Sequence, residues 1–296
     1  MSRWFGRDTP VHDSSTGTWR GANGVFAGRG RLPWVALTVL IGVAWVALWW
    51  NAHGGFRVTA AEHNANVCRA ESVGGNPQLR NYGAWPLCTE RLARQVRRNP
   101  VALSVGSGCD STFELDLLRR YPTAQVHVFD PTITLDRFHH CLRQSAVALR
   151  METRLPGTFW PVGLGTHNAV TRFYRSRNPK VGSMTTEQLR GVNASGALDA
   201  LVLEYDTLVA MLRVQRVDVL KMDIEGAEFA VIRSWCQRRP TVLPDQLLVE
   251  YHERLMERLS FTRRDSDACL QRLGYHKVVE MLPRKEEVLY VRRRWW

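Results

Sequence analysis

No two of the six cysteines are spaced C-x-x-C, which removes the common zinc and thioredoxin-like arrangements. Nucleic-acid signatures are missing as well. The net charge of +12 invites such a reading, but the arginines are scattered through predicted helices (Arg91, Arg94, Arg97, Arg98, Arg233, Arg238, Arg239), and the dense basic run is confined to 292–294. Neither zinc-finger spacing nor an RNA-binding motif accompanies them, so the charge reads as solvated helix faces and no nucleic-acid partner is expected. There is no internal repeat. The dinucleotide fingerprint is incomplete, because Ser111 stands where its third glycine belongs.

What is present begins with one long uncharged run. Residues 32–50 carry a single polar side chain, Thr38, and approach the roughly 20 residues that an α-helix needs to cross a bilayer. Pro33 suits a first helical turn, and Trp45, Trp49 and Trp50 suit an interface. The expected organisation is a disordered cytosolic tail over 1–31, a transmembrane signal anchor over 32–50, a neck over 51–99 and a large folded domain over 100–296. A cleaved signal peptide is the competing reading, and no small-residue cleavage site follows the run. Arg3, Arg7, Arg20, Arg29 and Arg31 precede the run, and no Lys or Arg occurs at 51–55. The positive-inside rule then sends the C-terminal part across the membrane. This predicts a single-pass protein of the endoplasmic reticulum or Golgi with a lumenal domain. Asn193-Ala194-Ser195 is a glycosylation sequon that fits this topology but is short enough to occur by chance. In an oxidising lumen Cys68 and Cys88 are expected to pair, whereas Cys109, Cys141, Cys236 and Cys269, in or beside predicted helices, read as core thiols.

From Val101 onward apolar runs alternate with helical periodicity. Strands are predicted near 101–105, 125–129, 158–163, 200–204, 217–222, 246–251, 274–280 and 287–291, and helices near 111–120, 134–149, 206–213, 226–237 and 264–273. Such alternation predicts an α/β fold with a mostly parallel, doubly wound sheet, closed at one edge by an antiparallel hairpin. The stretch 175–198 reads as a long polar insertion. It is expected to form a lid or acceptor-binding wall offering Lys180, Ser183 and Thr185.

Four stretches carry chemistry. VALSVGSGCD (101–110) runs a buried strand into Gly106-Ser107-Gly108, where missing side chains let a backbone approach a nucleotide-like ligand, although a plain turn has the same sequence. Asp130, at the tip of the next strand, stands where a carboxylate meets ribose hydroxyls; an Asp before Pro131 also suits an ordinary turn. VDVLKMDIEGAE (217–228) places Asp223, Glu225 and Glu228 around Gly226 at the carboxyl end of a strand, the end at which open α/β sheets bind ligands. LLVEYH (247–252) is expected beside it, bringing Glu250 and His252 to the same cleft wall. Asp223 or His252 could take a proton from an acceptor hydroxyl. Glu250 could equally serve to orient Lys221, and His252 to cap a helix. A carboxylate–histidine cluster could also hold a divalent cation, but no metal is assigned.

Taken together, the GSG turn, the acidic second-strand tip, KMDIEGAE and LLVEYH resemble the FkbM-type S-adenosylmethionine-dependent methyltransferases over about 68–291. GAWPLC (83–88) resembles the branch containing the methyltransferase-like protein twenty-four of animals. The resemblance implies a Rossmann-like, seven-stranded methyltransferase sheet. It also implies S-adenosylmethionine held by Gly106, Ser107, Gly108 and Asp130, and a signature acidic cluster of Asp223, Glu225 and Glu228. Catalytic roles are expected for Asp223, Glu225 and His252. The expected activity is O-methylation of a hydroxyl on a glycan or small metabolite. A Golgi-type glycosyltransferase and an inactive scaffold of the same fold are the alternatives. A membrane anchor is not typical of bacterial FkbM enzymes, so bacterial substrates are not carried over.

Overall fold

The computed structural model describes residues 68, 70–76, 82–95, 99–151, 158–176, 184–186, 192–253, 260–280 and 286–292, all within one compact unit spanning 43–296. The proposed anchor at 32–50 lies outside the described residues. Among the described residues no helix is long and apolar enough to cross a membrane.

In chain order the elements are β1 (Ala70–Asn76), β2 (Tyr82–Cys88), α1 (Thr89–Gln95), β3 (Val101–Val105), α2 (Thr112–Arg120), β4 (Gln125–Phe129), α3 (Leu135–Ala148), β5 (Thr158–Trp160), β6 (Gly163–Gly165), β7 (Ala169–Ser176), β8 (Met184–Thr185), β9 (Val192–Glu204), α4 (Tyr205–Leu212), β10 (Val219–Met222), α5 (Glu228–Gln237), β11 (Gln246–Glu250), α6 (Arg263–Arg272), β12 (Tyr275–Glu280) and β13 (Glu287–Arg292).

Seven strands form the main sheet in the order β12-β13-β11-β10-β3-β4-β5. From β11 to β5 all neighbours are parallel, and β13 runs antiparallel between β11 and β12. The expected α/β sheet with its antiparallel edge hairpin is therefore present. Its central strands are covered on both faces, which is why β3, β10 and most of β11 are almost wholly buried apolar runs without alternation. One face packs on α2, α3 and the β1–β2 hairpin; the other packs on α4, α5 and α6. Helix α3 shows how sequence drives this packing. Phe138, Cys141, Leu142 and Ser145 recur at three- and four-residue spacing and are buried, while the Thr134 hydroxyl caps the helix by accepting the Arg137 N–H. Burying a side chain such as Phe138 or Leu142 stabilises by about 1.5–3 kcal/mol.

Three findings depart from the sequence expectation. First, the stretch 175–198 is not simply an insertion loop: β7 reaches Ser176, β9 starts at Val192, and the two pair in an antiparallel ribbon within a second sheet of order β6-β9-β7-β8. A register shift between Phe173 and Arg175, together with Gly196 at φ +84°, breaks the alternation that would have marked these strands. Lys180 and Ser183 lie outside the described residues, and Thr185 is in β8. Second, β1 and β2, residues 70–76 and 82–88, pair as a hairpin whose Val73, Trp85 and Leu87 join the core over α2. Its left-handed Gly74 and Gly75 hid it from a pattern search. Third, all six cysteines pair, as Cys68–Cys88, Cys109–Cys141 and Cys236–Cys269, with Cα separations of 5.8, 4.9 and 5.8 Å. The four expected core thiols are disulfides because the turn after β3 meets the buried face of α3, and α5 packs on α6.

Candidate active site

The order of the sheet reverses between β3 and β10: the chain proceeds from β3 to β4 and β5 on one side, and from β10 to β11 on the other. At such a switch point, loops leaving the carboxyl ends of adjacent strands diverge and open a crevice. The GSG turn leaves β3 here, and the DIEG turn leaves β10.

Gly106 follows directly on β3 with φ +75°, and a β-carbon added to it would overlap the Asp223 carbonyl oxygen. Only glycine meets both demands. The turn is fixed by Gly106 N–H donating to the Phe129 carbonyl (2.8 Å) and by Lys221 Nζ donating to the Gly106 carbonyl (3.2 Å). Lys221 is buried on β10, with its ammonium 4.7 Å from the centre of the Trp85 ring. The hairpin thus reaches the glycine turn through a cation–π contact. Sequence reasoning missed this role of Trp85; its only signal was a lone tryptophan in an otherwise polar neck.

Asp130, at the end of β4, is brought to the same turn. One carboxylate oxygen accepts the Gly108 N–H (2.8 Å), and the other accepts the Thr132 N–H (2.8 Å) and hydroxyl (2.6 Å). Ser107 Oγ is buried without a hydrogen-bond partner, and nothing lies within 4 Å of a β-carbon built on Gly108. An orphan hydroxyl beside open space at a glycine turn fits a polar ligand laid over it, as S-adenosylmethionine would be.

The other wall is carboxylate-rich. Beyond Met222 the chain turns through Glu225 (φ +53°) and Gly226 (φ +106°) into α5. Glu228, fully buried in the first turn of α5, accepts the Gly226 N–H at 2.8 Å and the His252 N–H at 2.7 Å, so one side chain ties the tips of β10 and β11 together. His252 is then surrounded. Its Nε2 lies 3.8 Å from Asp223, 3.6 Å from Glu225 and 3.7 Å from Glu250, and its Nδ1 lies 3.4 Å from Glu228. The expected meeting of Asp223, Glu225, Glu250 and His252 on one wall is what the geometry contains.

The electrostatics follow. Burial alone would lower the His252 pKa, but Glu228 first, then Asp223 and Glu225, overrule it and raise the value to about 10. The raised value favours the imidazolium form of His252. Burial, with Asp223 beside it, pushes Glu250 up to about 8. Burial also raises Asp223, against the pull of Lys221 and His252. Behind this wall, Glu114 on α2 is fully buried and held above its usual range by burial, with Lys221 opposing and the Ser104 hydroxyl donating to it.

Residues 162–277 match the family model of the Methyltransferase FkbM domain. That stretch holds the DIEG turn, Glu250 and His252 but not the GSG turn or Asp130. No curated protein matches. A solved structure, the methyltransferase FkbM from Methylobacillus flagellatus KT, is similar at 16% identity with a TM-score of 0.36, over 65% of this chain and 43% of that one. The chain thus spans less than half the length of that relative. The family match supports a methyltransferase.

Proposed function

We propose that the chain is an S-adenosylmethionine-dependent O-methyltransferase acting on a hydroxyl of a glycan or small metabolite. We further propose that residues 32–50 anchor it in a secretory-pathway membrane, Golgi or endoplasmic reticulum, with the catalytic domain in the lumen. Within the FkbM-type enzymes, segment 83–88 supports assignment to the methyltransferase-like protein twenty-four branch.

The observation that carries the enzyme reading is the closure of Gly106 onto the Asp223 carbonyl, which joins a glycine turn suited to a nucleoside ligand to an acidic wall suited to a hydroxyl. S-adenosylmethionine supplies an electrophilic methyl group when bound. Gly106, Ser107, Gly108 and Asp130 would hold it. The carboxylates at the β10 and β11 tips would take the acceptor proton, and the His252 charge keeps those carboxylates together. Three disulfides support the lumenal reading, since such bonds persist in oxidising compartments.

Calorimetric titration of the full chain with S-adenosylmethionine tests the proposal. One site is expected, weakened at least tenfold in Asp130→Ala. A folded chain that takes up no S-adenosylmethionine, or takes up a nucleotide sugar instead, overturns it.

A further inference from the structure

The side chains around His252 are spaced as ligands around an ion rather than as hydrogen-bond partners. Separations of 3.6, 3.7 and 3.8 Å from Nε2 to Glu225, Glu250 and Asp223 exceed hydrogen-bond reach. One donor atom each from Asp223, Glu225 and His252 lies within 4.8 Å of the others. Ligand atoms bound about 2.1–2.4 Å from one ion stand roughly 3–4 Å apart when adjacent and up to about 4.8 Å when opposite. The observed spacings fall in that range.

An independent observation comes from the histidine itself. Its side chain is 5% exposed, and Nδ1 has no hydrogen bond, lying 3.4 Å from Glu228 without the required geometry. The ring is steered from behind by that carboxylate, which also accepts the His252 backbone N–H, so that Nε2 points into the carboxylates. A carboxylate behind one ring nitrogen is where metal-binding histidines commonly have one, and Nε2, which faces the site, lies beyond hydrogen-bond reach of the three carboxylates around it.

We propose that Asp223, Glu225 and His252 bind a divalent cation. One imidazole among carboxylates is a mixed nitrogen–oxygen donor set that a divalent ion such as Mn²⁺ accepts, and no thiolate is available because every cysteine is committed to a disulfide. The proton on Nε2 gives way to the ion. What the ion does rests on the methyltransferase reading. Sitting beside the residue that Gly106 abuts, it offers an open position to the acceptor oxygen and favours its deprotonated form. Glu250, outside the triad and ionised once a cation stands beside it, is the carboxylate left to take that proton.

The test uses Mn²⁺ alone. The full chain, stripped with EDTA and then freed of chelator, is titrated with Mn²⁺ and followed by electron paramagnetic resonance, without S-adenosylmethionine or acceptor. One ion per chain is expected. Affinity should fall at least tenfold in Glu225→Gln, whose side chain is partly exposed, and in Asp223→Asn, and about tenfold in Glu228→Gln. Circular dichroism verifies folding of each variant. A folded chain that binds no stoichiometric Mn²⁺, or binds it equally well in Glu225→Gln, overturns the cation site. Because S-adenosylmethionine uptake is measured separately, either result can fail without the other.

Discussion

The backbone of Gly106 lies against the carbonyl of Asp223 so closely that no side chain fits between them, although the two residues belong to loops leaving different strands. This contact fixes the distance from the glycine turn to the acidic wall. Gly106→Ala is expected to destabilise the domain by on the order of 3 kcal/mol or more, combining overlap with a left-handed backbone. Gly108 also has positive φ but open space around it, so Gly108→Ala should cost only about 1 kcal/mol. Urea denaturation of the two variants side by side checks the difference; equal losses would remove the steric argument.

Glu225 holds a left-handed conformation with φ +53° in a site whose other demands fix its carboxylate. Replacing it by glycine relieves a cost of about 1 kcal/mol. Glu225→Gly should therefore melt at the same temperature as the parent or slightly higher, while losing Mn²⁺ binding and methyl transfer. A clear drop in melting temperature would show that Glu225 serves the fold first.

The pH dependence of stability has two limbs. His252 titrates near 6.5 when unfolded and is raised to about 10 in the fold, so its contribution is complete below pH 6.5 and is lost as pH rises through 10. Glu250, raised from 4.5 to about 8, acts with the same sign between those values. His127 on β4 is opposite: burial lowers it to about 4, so its contribution is present above pH 6.5 and lost as pH falls through 4. Melting temperature in EDTA should decline as pH rises above neutrality, whereas between about pH 4.5 and 6.5 the Glu250 and His127 contributions run in opposite directions and offset each other. His252→Gln should flatten the alkaline limb, and His127→Phe should leave melting temperature rising as pH falls towards 4.5.

Much of this was legible in the residues. The alternation from Val101 onward located the seven sheet strands and their helices because fully buried runs such as VALSV and amphipathic helices such as 135–148 carry their own period. The DIEG and EYH tips were legible as neighbours because a doubly wound sheet leaves few places for them. The hairpin was not, since Gly74 and Gly75 interrupt its pattern and its partner surface, α2, lies about forty residues downstream through contacts such as Gly74 N–H to Asp116. Nor were two of the disulfides, because a cysteine on a buried helix face has the same sequence pattern whether its neighbour is leucine or another cysteine.

Reduction should expose which disulfide serves function. Cys109 follows the GSG turn directly, and its bond to Cys141 pins that turn to α3. Closing a loop of this size stabilises by about 3–4 kcal/mol. Cys109→Ser with Cys141→Ser should lower S-adenosylmethionine affinity as well as melting temperature. The Cys236→Ser, Cys269→Ser pair, which joins α5 to α6, should lower melting temperature alone. Maleimide labelling of the protein in intact membranes should find no free thiol until reductant is added. Six reactive thiols in the native protein would defeat both the pairing and the lumenal reading.

Cys88 ends β2 beside Gln246, where backbone and side chain exchange hydrogen bonds of 2.8 and 3.1 Å, and Gln246 begins β11. Through its bond to Cys88, Cys68 therefore lies at the strands' amino ends, the rim opposite the cleft. Breaking the Cys68–Cys88 bond therefore loosens the end of the sheet farthest from the glycine turn and the acidic wall.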